Sequence, residues 1–448
     1  MLSLVIFIVT VALIVTRVLE ESLAALIGAI LILLLGLIPF DKAFSYYVDW
    51  NIILILIGMW TIASLLTHAG LPRFLITKTL QYVSTYRNVI FLLAFLAGII
   101  SMFVDNVLVV LLFVPTVISL AKALNINPLP SALLITLSAN FMGTALLLGD
   151  LPPQMLHGIA GAEFLDFIFM QGKISSFPIL LISFILTLIL ASRLLVKENK
   201  NIRPLIDLIM NKNKEVNWKL MKVALAFFIV TIILMSLRKE LSIILSQYFK
   251  VYTPEYELKL GVIAIFVAIT AILTIKILTK LGKIQAPSFR EIIEGIEWSV
   301  VLFYTSLFIV VGALEHQGVI ASIANYLRGE LISRGLSAGC SILYWVSGAL
   351  SGFVEHDAYI LTMLYALKSL HMERALINPW PYYWSLLWSS TLGSNLTAAG
   401  APAIYVAIVL LRREGLKVMP KSVLRVTLTY TLISLSITYI IAYLLWFT

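Results

Sequence analysis

The chain has 448 residues, of which 61% are hydrophobic and only 12% are charged, with a formal net charge of +9. A soluble domain carries roughly 25% charged residues, so this composition excludes an ordinary soluble protein and predicts a membrane protein. Long apolar runs without short alternating segments favour helices over a β-barrel. The basic residues lie between these runs, which indicates membrane topology rather than nucleic-acid binding.

Apolar runs of a length suited to a bilayer follow one another along the chain. We predict membrane helices at 2–16, 22–39, 50–68, 174–196, 219–237, 256–279, 298–316 and 421–447. The first run lacks a preceding basic segment and a small-residue cleavage site, so we interpret it as a membrane helix rather than a signal peptide. The one cysteine, Cys340, excludes an internal disulfide, and we expect it to be buried.

Two segments, 88–121 and 338–371, are too long for one span and carry acidic residues near their midpoints. We predict that each folds back as a re-entrant hairpin with its tip at mid-membrane depth, since ionisable residues in a bilayer usually serve a function. The alternative is two full spans joined by an ordinary loop, for which arms of ~17 residues would just suffice. The candidate site residues at the two tips are Asp105, Asn106, Glu355, His356 and Asp357.

Two further apolar segments, 129–160 and 381–411, are interrupted by glycine and proline. We predict broken membrane helices here, because proline ends the preceding helix and glycine lets backbone carbonyl groups turn inward. The free N–H groups of a second half-helix suit an anion, whereas freed carbonyl and hydroxyl groups suit a cation. The candidate binding residues are Asn140, Gly143, Thr144, Gly149 and Asp150 in the first break, and Ser394, Asn395, Thr397 and Gly400 in the second.

Polar motifs recur in the same order in the two halves at a spacing of about 250 residues, which indicates an internal repeat. Asp49-Trp50 is matched by Glu297-Trp298, and the tip and break motifs are matched in turn. We therefore predict two repeats, 1–196 and 219–448, joined by a polar linker at 197–218. Each would cross the membrane five times, so the predicted fold is an all-α polytopic membrane protein with two inverted-topology repeats, each with a re-entrant hairpin and a broken helix.

The distribution of charge predicts the orientation of the chain. When both termini are placed outside the cell, most of the 32 lysine and arginine residues, Arg17 among them, lie on the same side of the membrane as the linker. Basic residues are enriched in cytoplasmic loops, so we predict a cytoplasmic linker and a multi-pass protein of the plasma membrane. Segments 71–84 and 319–334 predict amphipathic surface helices, and the aromatic cluster 380–384 is interpreted as a membrane-interface belt.

The tip and break motifs resemble those of the ion transporter superfamily, which includes arsenite permeases (ArsB), NhaD-type sodium/proton antiporters, silicon efflux transporters and CitMHS-like divalent anion/sodium symporters. The resemblance covers nearly the whole chain. It implies that Asp105 and Asn106 lie at the first tip, that Glu355 and His356 replace a second carboxylate–asparagine pair, and that sodium has a candidate position near Asn106 and Thr144. The elements that carry it are residues 101–106 with Pro115, residues 140–152, and residues 393–401 followed by Arg413-Glu414-Gly415.

Three positions depart from the superfamily's pattern. Leu146 stands where threonine is common, Gln154 follows an inserted Leu151, and His356 replaces a neutral amide. The loss of oxygen ligands and the gain of an imidazole favour protons over sodium as the coupling ion, because histidine titrates near neutral pH.

These features predict a secondary active transporter of a small inorganic or carboxylate anion or oxyacid, coupled to protons, with arsenite-type export as the specific expectation. Sodium/proton antiport, with Asp105 and Glu355 exchanging protons, is the near alternative. An intramembrane enzyme is the alternative of another class, but the motifs contain no nucleophile–base pair and no metal-ligand set. We expect no enzymatic activity, no cofactor and no nucleic-acid partner, whereas a homodimer and a separate ATPase subunit are left open.

Overall fold

A computed structural model of the chain describes residues 2–202, 216–249 and 258–448. Most of these residues are helical, and the short antiparallel ribbon of Phe169–Met170 with Lys173–Ile174 is the one sheet within the described ranges. Seven of the described helices are long and apolar enough to cross a membrane, which agrees with an all-α polytopic membrane protein. They are Trp50–Ala69, Asn106–Ala123, Ser176–Leu195, Trp218–Ser236, Leu260–Lys280, Trp298–His316 and Pro420–Trp446.

Shorter helices complete the described part of the fold. The predicted run 22–39 ends early, at Leu34, because Gly36 adopts a left-handed φ of +62° and a proline follows at position 39. Most of the predicted linker, residues 203–215, lies outside the described residues. The shorter helices and helical turns are Leu2–Thr16, Glu21–Leu34, Phe40–Lys42, Ala43–Tyr47, Leu71–Tyr82, Tyr86–Ser101, Leu129–Gly143, Leu151–Ala160, Phe164–Phe167, Arg238–Phe249, Phe289–Glu294, Val319–Leu327, Arg328–Ile332, Leu336–Leu350, His356–Met372, Trp380–Ser394 and Pro402–Arg413.

Two pairs of these helices form hairpins, and two other pairs form interrupted helices. The hairpin turns fall at 102–105 and 351–355, close to the predicted midpoints. At 1.5 Å per residue, the three hairpin arms of 15 to 17 residues are ~23–26 Å long, shorter than the ~30 Å hydrocarbon core of a bilayer, whereas Asn106–Ala123 is near the lower limit of length for a span. We name hairpin A (Tyr86–Ser101 and Asn106–Ala123), broken helix A (Leu129–Gly143 and Leu151–Ala160), hairpin B (Leu336–Leu350 and His356–Met372) and broken helix B (Trp380–Ser394 and Pro402–Arg413).

The helices pack as two groups. One group, the core group, contains both hairpins, both broken helices, Ser176–Leu195 and Pro420–Trp446. The other, the frame, is built from helices that pack mainly on one another. They are Leu2–Thr16, Glu21–Leu34, Trp50–Ala69, Trp218–Ser236, Leu260–Lys280 and Trp298–His316. Because lipid is as apolar as these helices, their association depends on close packing and on polar bonds.

Basic residues tie several chain segments together at one end of the core group, which we call the basic face. Arg87 Nε donates to the carbonyl oxygen of Val196 at 2.8 Å, at the end of hairpin A that is remote from its tip. Lys122 Nζ donates to the carbonyl oxygen of Glu414 at 2.9 Å, just past broken helix B. Hairpin A and the start of the linker therefore share this face, and its assignment to the cytoplasm stays a prediction.

The aromatic cluster at 380–384 does not form the predicted interface belt. Tyr382, Tyr383 and Trp384 are buried, and Trp384 stacks on Trp388 with ring centroids 5.6 Å apart. Broken helix B is enclosed by hairpin B and neighbouring helices, so these rings fill the protein interior instead of facing headgroups. The interpretation as a belt is wrong, whereas Cys340 is buried as expected.

Candidate functional site

Both hairpin tips use a carboxylate to begin their second arm. Asp105 Oδ1 accepts hydrogen bonds from the backbone N–H groups two and three residues later, at 2.9 and 3.1 Å. Glu355 accepts from the equivalent N–H groups at 3.1 and 2.8 Å. Such caps satisfy backbone donors that a helix start leaves free. The two matched acids therefore have the same local role in the two halves.

Each hairpin tip lies directly against the break of its broken helix. A Cβ added to Gly149 would lie 2.5 Å from the carbonyl oxygen of Ser101, at the end of the first arm of hairpin A. A Cβ added to Gly400 would lie 2.5 Å from the carbonyl oxygen of Ser351, in the turn of hairpin B. Only glycine permits these approaches, which explains why a glycine stands at both positions.

A buried polar network joins the tip and the break of the first half. Asn106 Nδ2 donates to Asn140 Oδ1 at 2.8 Å and to Asp150 Oδ2 at 3.2 Å. The other carboxylate oxygen of Asp150 accepts from the backbone N–H of Leu151 at 2.9 Å and so begins the second half-helix. Because all three polar side chains are buried, their alignment depends on one another.

The two broken helices meet each other at their breaks. Asn140 Nδ2 lies 3.0 Å from Ser394 Oγ and 3.1 Å from Asn395 Oδ1, so one amide joins the two halves. The hydroxyl of Thr144 donates to Thr391 Oγ1 at 2.8 Å. The hydroxyl oxygen of Thr144 keeps its lone pairs in this bond, and the sodium position near Asn106 and Thr144 stays a prediction.

The tip of hairpin B carries a compact ionisable cluster. His356 Nδ1 lies 3.5 Å from Glu355 Oε1, and its Nε2 lies 3.3 Å from Asp357 Oδ1. Tyr304, from the frame, donates to Asp357 Oδ2 at 2.6 Å. The three tip residues could each offer one ligand atom to a metal ion, with the atoms within 4.8 Å of one another. Both ring nitrogens of His356 and Oδ1 of Asp357 are buried and make no hydrogen bond in this structure.

A hydroxyl fixes the second break to its hairpin. Thr397 Oγ1 donates to the carbonyl oxygen of Gly352 at 2.6 Å, and it accepts the backbone N–H of Ala399 at 3.1 Å. Thr397 therefore positions the break, and its oxygen is not free in this arrangement.

One small cavity borders the site, and a larger one lies farther from it. A small one of about 20 Å³, roughly the room for one water molecule, is lined by Asp105, Gly149, Asp150 and Gln154, among others. A wide vestibule of about 1010 Å³ opens at the end of the molecule away from the basic face. Its charged and titratable lining residues are Asp49, His157, Glu163, Arg238, Lys239, Lys259, Glu315 and Lys368.

All the predicted site residues belong to the tips and breaks, and Asn140 links the two halves directly. Their roles in binding stay predictions. Three residues near the site are not predicted by its motifs. Tyr304 looks like an ordinary aromatic residue of an apolar run, Gln154 is noted only as a departure from a pattern, and Arg17 is interpreted as a topology signal.

Comparison with known proteins identifies relatives among transporters. The model of the citrate transporter family, CitMHS, matches residues 11–389. An uncharacterized transporter of Mycobacterium tuberculosis is 25% identical over 411 residues, which is 89% of this chain and 86% of the relative. The P protein of Mus musculus is 23% identical over 482 residues, covering 90% of this chain and 55% of the relative.

A solved structure has a similar fold. Neisseria gonorrhoeae MtrF, described as illuminating a class of antimetabolite efflux pumps, aligns with a TM-score of 0.55 at 12% identity. The alignment covers 93% of this chain and 84% of that one. At this identity the likeness concerns the fold alone.

Proposed function

Because the chain belongs to the citrate transporter family, a family of membrane transporters rather than enzymes, we propose that it is a proton-coupled secondary transporter of a small carboxylate anion or oxyacid. Its site is the region where the two hairpin tips meet the two breaks. In this proposal the halves are inverted repeats and expose the site to the two membrane faces in turn.

The observation that carries the proposal is an excess of acidic groups at the tips and breaks. Asp105, Asp150, Glu355 and Asp357 lie at the tips and breaks, where His356 is the one titratable basic group among the described tip and break residues. Carboxylates in a low-dielectric region need protons or cations to balance their charge. An anion cannot enter such a site without them, which makes coupled movement of a cation the physical expectation.

Protons are the proposed coupling ion. A sodium ion in a protein prefers several fixed oxygen ligands, whereas the second tip offers an imidazole between two carboxylates. The hydroxyls of Thr144 and Thr397 donate to protein atoms. The feature that favours protons is the imidazole of His356, because an imidazole can carry a proton, whereas a sodium ion prefers oxygen ligands.

Within this class, the description of the matching family puts citrate first among substrates. Arsenite-type export remains the second candidate on the strength of the resemblance of the tip and break motifs. Sodium/proton antiport is a separate candidate, and the small cavity beside Asp105 and Asp150 favours it because that space suits one water molecule or one small cation.

The test is uptake into proteoliposomes with citrate, other small carboxylates and arsenite under imposed pH or sodium gradients. The proposal expects one substrate class to accumulate with a pH gradient and without sodium. Glu355→Gln should abolish accumulation, while thermal unfolding in detergent shows that the variant still folds. Full transport by Glu355→Gln, or strict dependence on a sodium gradient with no response to pH, would refute proton coupling.

A further inference from the structure

Arg17 reaches from the frame into the second break. It lies in the turn between Leu2–Thr16 and Glu21–Leu34, and its Nη2 donates to the carbonyl oxygen of Ala398 at 2.6 Å. The guanidinium carbon lies 4.1 Å from the ring centroid of Tyr405, in the half-helix after the break. The same Nη2 is 3.4 Å from a carboxylate oxygen of Glu21. One side chain thus contacts both groups of helices.

The two helices beside Arg17 are short for membrane helices. They have 15 and 14 residues, so they extend only ~21–23 Å, against ~30 Å for the hydrocarbon core of a bilayer. A turn between two such helices can lie within the hydrocarbon, where a basic residue is costly and usually serves a function. Arg17 also has a φ of +52°, which is uncommon for a residue with a Cβ atom. Arg17 thus combines an unusual backbone conformation with a side chain that is only 24% exposed.

The electrostatic surroundings of the Arg17 side chain favour a positive charge. The first half of broken helix B ends at Ser394, and the C-terminal end of a helix carries partial negative charge. The carbonyl of Ala398, a few residues later, is freed from helical bonding by the break. Arg17 therefore occupies a place that would attract a cation. Its partner Glu21 is close enough to interact electrostatically with Glu355 and His356.

Arg17 and the vestibule lie at opposite ends of the molecule. Glu21–Leu34 leads from Arg17 toward residues 45–51, which line the vestibule. In this structure the vestibule is open, while the guanidinium group and the ring of Tyr405 lie beside the second break at the other end of the molecule.

We propose that Arg17 is the gating residue on the side opposite the vestibule. It closes the second break from that side while the vestibule is open, and its bond to Ala398 parts when the site is exposed there. The inference rests on the proposed transport function, since a gate matters only if the site opens to each side in turn. Arg17 acts by position, as a tethered cation, and not as a substrate ligand.

The test measures access to the break without any substrate, so it does not depend on which molecule is transported. Cys340 is replaced by alanine to remove the one native thiol, and a reporter cysteine is placed at Ala399. A second reporter is placed at Ala321, an exposed residue of the vestibule lining. Labelling by a membrane-impermeant maleimide is timed in vesicles of both orientations. The matched control is Lys122→Gln, which removes a basic residue that also bonds near broken helix B, but away from its break.

Arg17→Gln should speed labelling at Ala399 from the side opposite the vestibule about tenfold. This factor corresponds to a loss of about 1.4 kcal/mol in the free energy that favours the closed state. Labelling at Ala321 should stay constant or fall, and Lys122→Gln should change neither rate. Arg17→Lys should give a smaller rise, because lysine keeps the charge and loses the planar fork. An unchanged rate at Ala399 in both Arg17 variants would overturn the gate. An equal rise at both reporters would also overturn it, because that result indicates general loosening of the fold.

Discussion

The contact between hairpin A and the first break can be tested with one methyl group, in Gly149→Ala. The added Cβ would lie 2.4, 2.5 and 2.8 Å from backbone atoms of Gly143, Ser101 and Met102. Ordinary van der Waals contact begins near 3.4 Å, so the overlap is close to 1 Å. Backbone atoms cannot rotate away, so tip and break must separate. We expect a stability loss at the upper end of the ~1–3 kcal/mol range for overpacking.

Separation of the tip from the break should also slow transport at least tenfold, the factor that corresponds to about 1.4 kcal/mol in the rate-limiting barrier. Initial uptake rates in proteoliposomes and thermal unfolding in detergent measure the two effects. Gly329→Ala is the matched control, since a Cβ there meets open space. Uptake at the wild-type rate with unchanged stability in Gly149→Ala would refute the proposed packing of tip against break.

Three further substitutions test other contacts of the site. Asn140→Ala should lower uptake at least tenfold, measured as initial rate, because it leaves the buried groups of both halves without their shared amide; normal uptake would contradict the link. Tyr304→Phe should lower stability by roughly 1.5–3 kcal/mol, measured by thermal unfolding, because it removes a hydrogen bond to the carboxylate of Asp357; an unchanged midpoint would contradict this. Glu163→Gln should lower stability by roughly 1.5–3 kcal/mol because it removes the charge from the hydrogen bonds that Arg238 donates to Glu163; a surface-like effect below about 1 kcal/mol would show that the pair is screened.

The sequence locates the hairpin tips and the breaks well, for a physical reason. Asp105 and Glu355 are conspicuous because a carboxylate in the middle of an apolar segment needs a local partner, and the N-terminus of a helix supplies one. Gly149 and Gly400 are conspicuous because glycine and proline interrupt helices in a predictable way. Each signal depends on neighbours in sequence, which is why it can be interpreted without a structure.

The same local reasoning does not predict contacts between residues that are far apart in the sequence. Arg17 has the pattern of an ordinary loop arginine, and nothing near it in the sequence indicates its bond to the carbonyl oxygen of Ala398. Tyr382, Tyr383 and Trp384 have the composition of a membrane interface, yet they are buried, because aromatic side chains suit both an interface and a protein interior. The bond from Tyr304 to Asp357 joins residues on different helices, so no local pattern could predict it.

Proton movement driven by substrate tests the central proposal most directly. Purified protein is reconstituted into proteoliposomes that contain a trapped pH indicator, with no imposed pH gradient and no sodium. An inward gradient of the transported anion is then applied. The proposal predicts a change in internal pH that starts with anion entry, is absent in Glu355→Gln, and collapses with a protonophore. Anion entry at the full rate with no change in internal pH, or entry only when sodium is supplied, would contradict it.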